Sequence, residues 1–321
     1  MTAPLKIAVL DDFQNAARPM ADWSRLNGKA EVTFFTDNLR DDALLQRLLP
    51  YDVLVAIRER TAFSRSLIEQ LPNLRLLATT GMRNRGIDLA ACRDRGIPVC
   101  GTKGGGSPTA ELAFGLMLAL ARNIVAEDRA LRAGQWETPT IGFMLKGRVL
   151  GLLGLGKLGA EMAHFAQAFG MSVIAWSQNL TDEHAASLGC RRVDKADLFR
   201  QADFVSLHVV SSPRTRGIVG AAEFAVMKPG GYLINTSRSA LVDEPAMIAA
   251  LTEGRIAGAG LDVFDQEPLP KDAPIRAAPN TILTPHLGYA TRESYESYFP
   301  QVLGAIEAWM AGSPINLLPD D

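Results

Sequence analysis

Three ionisable side chains stand at the ends of strand-like runs in the last third of the sequence. Arg238 closes Ile234-Asn235-Thr236-Ser237-Arg238, Glu267 lies in Gly260-Leu261-Asp262-Val263-Phe264-Asp265-Gln266-Glu267-Pro268, and His286 is central in Thr284-Pro285-His286-Leu287-Gly288. An imidazole can exchange a proton near neutral pH. A carboxylate beside it would hold the ring and favour the imidazolium. A guanidinium offers a rigid fork of donors to a carboxylate or a carbonyl oxygen, which a lysine does not match. Singly, each has a plainer reading: a structural histidine, a surface arginine, a solvated Glu-Pro turn. Ligands of open α/β sheets sit outside the carboxyl ends of the strands, so three such residues in strand-end positions are expected to meet in one cleft.

A second motif precedes them. Val149 to Gly159 contains Gly154-Leu155-Gly156-Lys157-Leu158-Gly159, a GxGxxG run between an aliphatic strand and an amphipathic helix, Leu158–Phe169, with a new strand at Ser172. In such a βαβ unit Gly154 permits the tight turn, Gly156 lets a diphosphate approach the backbone, and Gly159 lets helix and strand pack closely. The anion would sit at the helix N-terminus, where N–H groups and the helix dipole favour negative charge. Gly154, Gly156, Lys157 and Leu158 are therefore candidate dinucleotide contacts. The next strand ends Ala175-Trp176-Ser177-Gln178-Asn179 with no acid, so Ser177 stands where a carboxylate for the ribose hydroxyls would be sought. Arg191 and Arg192 are the nearby cations for a ribose phosphate. NAD and NADP both remain open, and the balance tips towards NAD.

The elements that must carry these motifs alternate along the chain. Apolar runs at Ile7–Leu10, Val32–Phe35, Val53–Ile57, Leu74–Ala78 and Pro98–Cys100 read as buried parallel strands, with helical patterns at Asp41–Leu49 and Ser64–Leu71. The glycine-rich run Gly101 to Gly106 reads as a junction. Ser107-Pro108 reads as an N-cap and first helical residue, opening one long helix towards Gln135. A second series has strands at Val149–Leu153, Ser172–Trp176, Phe204–Val209, Tyr232–Thr236, Gly258–Val263 and Thr281–Leu283, and a last helix at Glu293–Met310 is expected to return to the first domain. The expected fold is α/β: two doubly wound parallel-sheet domains with hinges near Gly104 and Tyr289.

Composition excludes more than it selects. The chain has 321 residues, 47% hydrophobic and 21% charged, with a net charge of -2. This gives no electrostatic reason to expect nucleic acid or an anionic membrane. Cys92, Cys100 and Cys190 show no CxxC spacing and read as reduced thiols of a cytoplasmic protein. His164, His184, His208 and His286 are too scattered to suggest a metal site; His208 reads equally as cofactor-proximal or as a core histidine. The N-terminus shows no leader pattern. The most apolar run, Leu112–Ala121, is half the roughly 20 residues a membrane span needs.

The glycine fingerprint, the NTSR strand, the DVFxxEP turn and the TPHLG turn, in this order, resemble the D-isomer-specific 2-hydroxyacid dehydrogenase family. The resemblance implies a central Rossmann nucleotide-binding domain (104–290) inserted in a flavodoxin-like substrate domain (1–103 plus 291–321), and a homodimer. It implies catalytic roles for Arg238, Glu267 and His286. It further implies a carboxamide contact for Asp262 and cofactor contacts near Thr236 and Gly288. The implied reaction is NAD(P)-dependent reduction of a small 2-keto acid, glyoxylate- or hydroxypyruvate-like, to the D-2-hydroxy acid, with His286 as proton donor. The family's glycine-rich substrate loop matches Thr79 to Asp88, making Gly81, Met82 and Arg83 candidate substrate contacts beside Arg238. Arg83 replaces the loop's second glycine, and we expect it to favour a longer or doubly anionic substrate. The alternative is an NAD(H)-sensing binding scaffold of the corepressor type, using the same fold without significant turnover. For the dimer, the long apolar helix from Ser107 is the candidate interface.

Overall fold

The computed structural model describes residues 3–104 and 106–319, so Gly105 of the glycine-rich junction lies outside the described residues. The chain divides into two compact units, 1–106 with 290–321, and 107–289.

The first unit opens with β1 (Leu5–Val9), β2 (Ala30–Phe34), α1 (Asp41–Leu48), β3 (Val53–Ala56), α2 (Arg65–Glu69), β4 (Leu76–Thr79), α3 (Leu89–Asp94) and β5 (Val99–Cys100). The strands form a parallel five-stranded sheet in the order β2-β1-β3-β4-β5, the doubly wound order of flavodoxin-like domains. Side chains start two of the helices, Ser64 Oγ accepting from Leu67 N and Asp88 from Ala91 N. β3 and β4 are buried throughout, as their unbroken aliphatic runs require. β2 is not: as an edge strand with one neighbour it alternates half-buried and exposed residues.

The second unit runs α4 (Pro108–Ala121), α5 (Ile124–Arg132), β6 (Val149–Leu153), α6 (Lys157–Ala168), β7 (Ser172–Trp176), α7 (Asp182–Ser187), β8 (Arg191–Arg192), α8 (Lys195–Gln201), β9 (Phe204–Leu207), α9 (Ala221–Val226), β10 (Tyr232–Asn235), α10 (Glu244–Thr252), β11 (Gly258–Leu261) and β12 (Thr281–Leu283). Its parallel seven-stranded sheet has the order β12-β11-β10-β9-β6-β7-β8. This is the Rossmann order with a further strand beyond the sixth, reversing direction between β6 and β9. The strands at Phe204, Tyr232 and Gly258 end one or two residues earlier than expected, because their last polar or apolar residues already turn out of the sheet. The two-residue edge strand β8, fully exposed, carries no hydrophobic signal and is absent from the sequence reading.

The long helix expected from Ser107 is two helices. Arg122 closes α4, Asn123 adopts a left-handed conformation at φ 54°, and α5 leaves at 62°. The two helices have different environments. α4 is apolar all round and buried against α6, β10 and β11, whereas α5 has a charged face. Ser107 makes no side-chain cap, although Pro108 does occupy the first turn. Ala110, Ala113, Met117 and Ala121, each at 0% exposure, form the face of α4 turned into the unit, while Glu111 and Gly115 stay exposed on the other side. No single helix among the described residues is long and apolar enough to cross a membrane.

After the second unit the chain re-enters the first through α11 (Arg292–Met310), capped by Thr291 and packed on β4, and Leu318 N then bonds the carbonyl of Val99. Cys92, Cys100 and Cys190 are free and buried, and burial raises each thiol to about 11.

Candidate active site

The strand register of the second unit lines up one row of residues at the carboxyl edge of the sheet. Leu283 pairs Leu261, Leu261 pairs Asn235, Asn235 pairs Leu207, Leu207 pairs Leu153, and Leu153 pairs Trp176. Every candidate residue of this unit lies a few positions beyond that row: the glycine loop after Leu153, Ser177 after Trp176, Thr236 and Arg238 after Asn235, Asp262 and Glu267 after Leu261, and His286 and Gly288 after Leu283.

The best-defined contact is between His286 and Glu267. His286 Nδ1 lies 2.6 Å from Glu267 Oε2, while Glu267 Oε1 accepts from Phe264 N at 2.8 Å. Both side chains remain partly accessible, at 21% and 29%. A nitrogen–carboxylate contact of 2.6 Å is of charge-assisted length. The backbone of His286 is left-handed at φ 54°, sparsely populated for a side-chain-bearing residue. The neighbouring Asp262 carboxylate holds the turn that contains it. Asp262 Oδ1 accepts from Thr284 Oγ1 at 2.6 Å and from Leu287 N at 2.7 Å, and Oδ2 accepts from Gly288 N at 2.8 Å. Asp262 is fully buried. Burial raises its pKa, against the lowering pull of these three bonds and of His286. Asp262 and Gly288, read from the sequence as cofactor contacts, thus also bond each other. The carbonyl of Gly288 accepts from Thr109 Oγ1 at 2.8 Å.

Arg238 is presented by a turn that Asn235 builds. The Asn235 amide donates to the Arg238 carbonyl at 2.9 Å and accepts from Ser237 N at 3.1 Å, and Ser237 Oγ donates to the Val209 carbonyl. Asn235 is buried and was not singled out from the sequence; its amide is recognisable only once the turn is seen. Beside it the Thr236 hydroxyl is buried with no hydrogen-bond partner among the described residues, an open position for a bound polar group.

The glycine loop fits a dinucleotide. Gly154 has φ 105°, and a Cβ there would lie 2.7 Å from the His208 carbonyl carbon. A Cβ on Gly159 would collide with the Gly154 carbonyl, whereas one on Gly156 would meet nothing within 4 Å. Two glycines therefore serve packing, and the third faces open space at the first turn of α6. No side chain caps that helix, which leaves its leading N–H groups to an external anion. His208 stands behind the loop. Its Nε2 is 2.8 Å from the buried Ser206 hydroxyl, and burial pushes the imidazole down to about 4. Arg191 is bonded to Gln201 at 2.7 Å and Arg192 lies 3.7 Å from Asp182, so both cations already have partners.

The loop Thr79 to Asp88 lies in the other unit. Gly81 has φ 90°, its N–H donates to Thr102 Oγ1 at 2.7 Å, and the Arg58 guanidinium fills the space where a Cβ would project. Asn84 ties the loop to the Arg58 carbonyl at 2.6 Å and to Thr79 Oγ1 at 2.8 Å. Arg83 is exposed, and Met82 half-buried. Sequence reading missed Arg58, which is 23 residues from Gly81 and reaches it only through the pairing of β3 with β4.

A Rossmann-ordered sheet with an uncapped glycine-loop helix and a His–Glu pair at the same edge defines a dinucleotide-dependent oxidoreductase. Residues 114–288 match the family model described as D-isomer specific 2-hydroxyacid dehydrogenase, NAD binding domain. The chain is 38% identical over 288 residues to a glyoxylate reductase of Thermococcus litoralis, covering 87% of this chain and 86% of that protein. It is 38% identical over 273 residues to a D-3-phosphoglycerate dehydrogenase of Methanocaldococcus jannaschii, covering 84% of this chain but only 51% of the relative, so it spans about half of that protein. A crystal structure of a phosphoglycerate oxidoreductase from Vibrio cholerae superposes with a TM-score of 0.91 at 37% identity, covering 96% of this chain and 100% of that one. The chain belongs to the D-isomer specific 2-hydroxyacid dehydrogenase family and is an NAD(P)-dependent oxidoreductase of 2-keto and 2-hydroxy acids.

Proposed function

We propose that this enzyme reduces a small 2-keto acid, of glyoxylate or hydroxypyruvate type, to the D-2-hydroxy acid, with His286 as the proton donor. The 2.6 Å contact between His286 Nδ1 and Glu267 carries this reading. With Nδ1 committed to the carboxylate, Nε2 is the ring atom that hands a proton to the developing alkoxide, a contribution of about 10²–10⁴ in rate. Glu267 orients the ring, and Asp262 fixes the turn that presents it. Arg238 takes the substrate carboxylate or carbonyl oxygen with its planar fork. When bound, the nicotinamide supplies the hydride. Gly154, Gly156, Lys157 and Leu158 would hold the diphosphate, Ser177 the adenosine ribose, and Thr236, Asp262 and Gly288 the nicotinamide end. With Arg191 and Arg192 both engaged, NAD is favoured over NADP.

Gly81, Met82 and Arg83 are assigned to substrate. The exposed, cationic Arg83 favours a substrate with a second anionic group. Comparing kcat/KM of Arg83→Ala on glyoxylate and on a phosphorylated or dicarboxylic keto acid tests this. A larger loss on the dianion is expected, and an equal loss on both would remove the idea.

We further propose a homodimer. Ile124, Val125, Leu131, Trp136, Ile141 and Met144 are 40–96% exposed within one stretch of the second unit. Exposed apolar side chains gathered in one stretch of chain are the kind of surface that a subunit interface covers. Light scattering of wild type and Trp136→Glu checks it: a dimer that dissociates in the variant supports this face. Buried, reduced cysteines agree with a cytoplasmic location.

The overall reading is tested by NADH and NADPH oxidation with a panel of 2-keto acids. Turnover, faster with NADH, is expected. Binding of NADH without turnover of any acid would favour a nucleotide-sensing scaffold instead.

A further inference from the structure

We propose that His184 is a positioning residue for the dinucleotide's diphosphate, acting through the peptide plane between Leu155 and Gly156. This rests on the reading of Gly154–Gly159 as the diphosphate cradle. His184 lies on α7, far from the glycine motif in sequence, yet its Nε2 is 3.3 Å from the carbonyl oxygen of Leu155. A carbonyl can only accept, so Nε2 carries the hydrogen.

The consequence follows from peptide geometry. The Leu155 carbonyl and the Gly156 N–H belong to one rigid, trans peptide unit and point in opposite directions. A donor that fixes the carbonyl also aims the N–H. Gly156 N–H meets no acceptor among the described residues, and its Cα faces the open space that suits an anion. Without a bond to Leu155 this peptide is free to rotate, because glycine at 156 tolerates either orientation. The backbone on both sides is otherwise fixed: Gly154 N bonds the Trp176 carbonyl at 2.8 Å, and Ala160 N bonds the Gly156 carbonyl at 2.8 Å. Leu155, at 4% exposure, anchors its side chain in the core. The one remaining freedom is the peptide that His184 holds.

His184 is itself well held. Its N–H donates to Thr181 Oγ1 at 3.2 Å, and its carbonyl accepts from Ser187 Oγ at 2.8 Å. Its ring is thus delivered to the loop from a pinned backbone. Glutamine can place an amide N–H near the position of the imidazole Nε2 and should substitute. Alanine cannot.

The test is calorimetric titration of the folded enzyme with NADH, with ADP-ribose and with adenosine, in wild type, His184→Ala and His184→Gln, together with steady-state kinetics. In His184→Ala, Kd for both diphosphate ligands is expected to rise about tenfold with that for adenosine unchanged. KM for NADH should rise likewise while kcat at saturation stays, and His184→Gln should recover most of the affinity. Unchanged NADH affinity in His184→Ala, an equal loss for adenosine, or no recovery in His184→Gln would overturn the assignment. Failure of the wild-type enzyme to bind NADH or ADP-ribose would instead remove the cradle reading, and this inference with it.

Discussion

Two turns at the same sheet edge are shaped by opposite means. The Gly154–Gly159 loop owes its form to missing side chains: a Cβ at Gly154 or Gly159 would strike backbone. The Thr284–Gly288 turn owes its form to an added one, the buried Asp262 carboxylate reaching across from β11 to bond three donors. The first is local and permissive, leaving N–H groups to an outside anion. The second is satisfied internally and holds His286 in a left-handed conformation against Glu267. As proposed, the loop receives a ligand and is kept open, while the turn aims a proton donor and is tied down.

The comparison breaks first at Asp262. Asp262→Ala takes the carboxylate from three donors, the buried Gly288 N and the part-buried Leu287 N and Thr284 Oγ1, a change expected to cost about 3–5 kcal/mol in urea unfolding. kcat should fall far more than KM for NADH rises. A loss under 1 kcal/mol would show that the turn does not depend on the carboxylate. Next comes Gly154→Ala. A positive φ together with a 2.7 Å clash predicts about 2–3 kcal/mol of lost stability. Gly156→Ala separates packing from binding: it should cost at most ~1 kcal/mol in stability yet weaken NADH binding at least about tenfold. Equal stability losses at the two positions would erase the distinction between them.

A smaller effect sharpens what lies behind the glycine loop. His208 is held down to about 4, below its ordinary value of 6.5, by burial. Between those values the unfolded chain takes up a proton that the folded chain refuses. Stability therefore falls as pH drops from 6.5 to 4 and is regained above 6.5, by about 2 kcal/mol for a half-buried residue. His208→Asn should flatten that part of the pH–stability curve. An unchanged slope would place the acid sensitivity elsewhere.

The contrast also explains what the sequence could and could not disclose. The glycine loop was legible because its determinants are contiguous: Gly154 and Gly159 have a steric reason and Gly156 leaves the space open between them. The strands were legible because buried aliphatic runs in the middle of a parallel sheet have few alternatives. The break at Asn123 was hidden because a left-handed asparagine looks like any polar residue within an apolar helical pattern. β8 was hidden because an exposed edge pair carries no hydrophobic signal. The links from Asp262 to Thr284, from Arg58 to Gly81 and from His184 to Leu155 join residues far apart in the chain. They appear only when strand register brings the turns together.

The central claim is that His286, held by Glu267, delivers the proton. The direct test is His286→Gln, assayed for keto-acid reduction at saturating NADH and for NADH affinity by titration. The account predicts a fall in kcat of about 10²–10⁴ with NADH affinity kept within a few-fold. Turnover within a few-fold of wild type would contradict it.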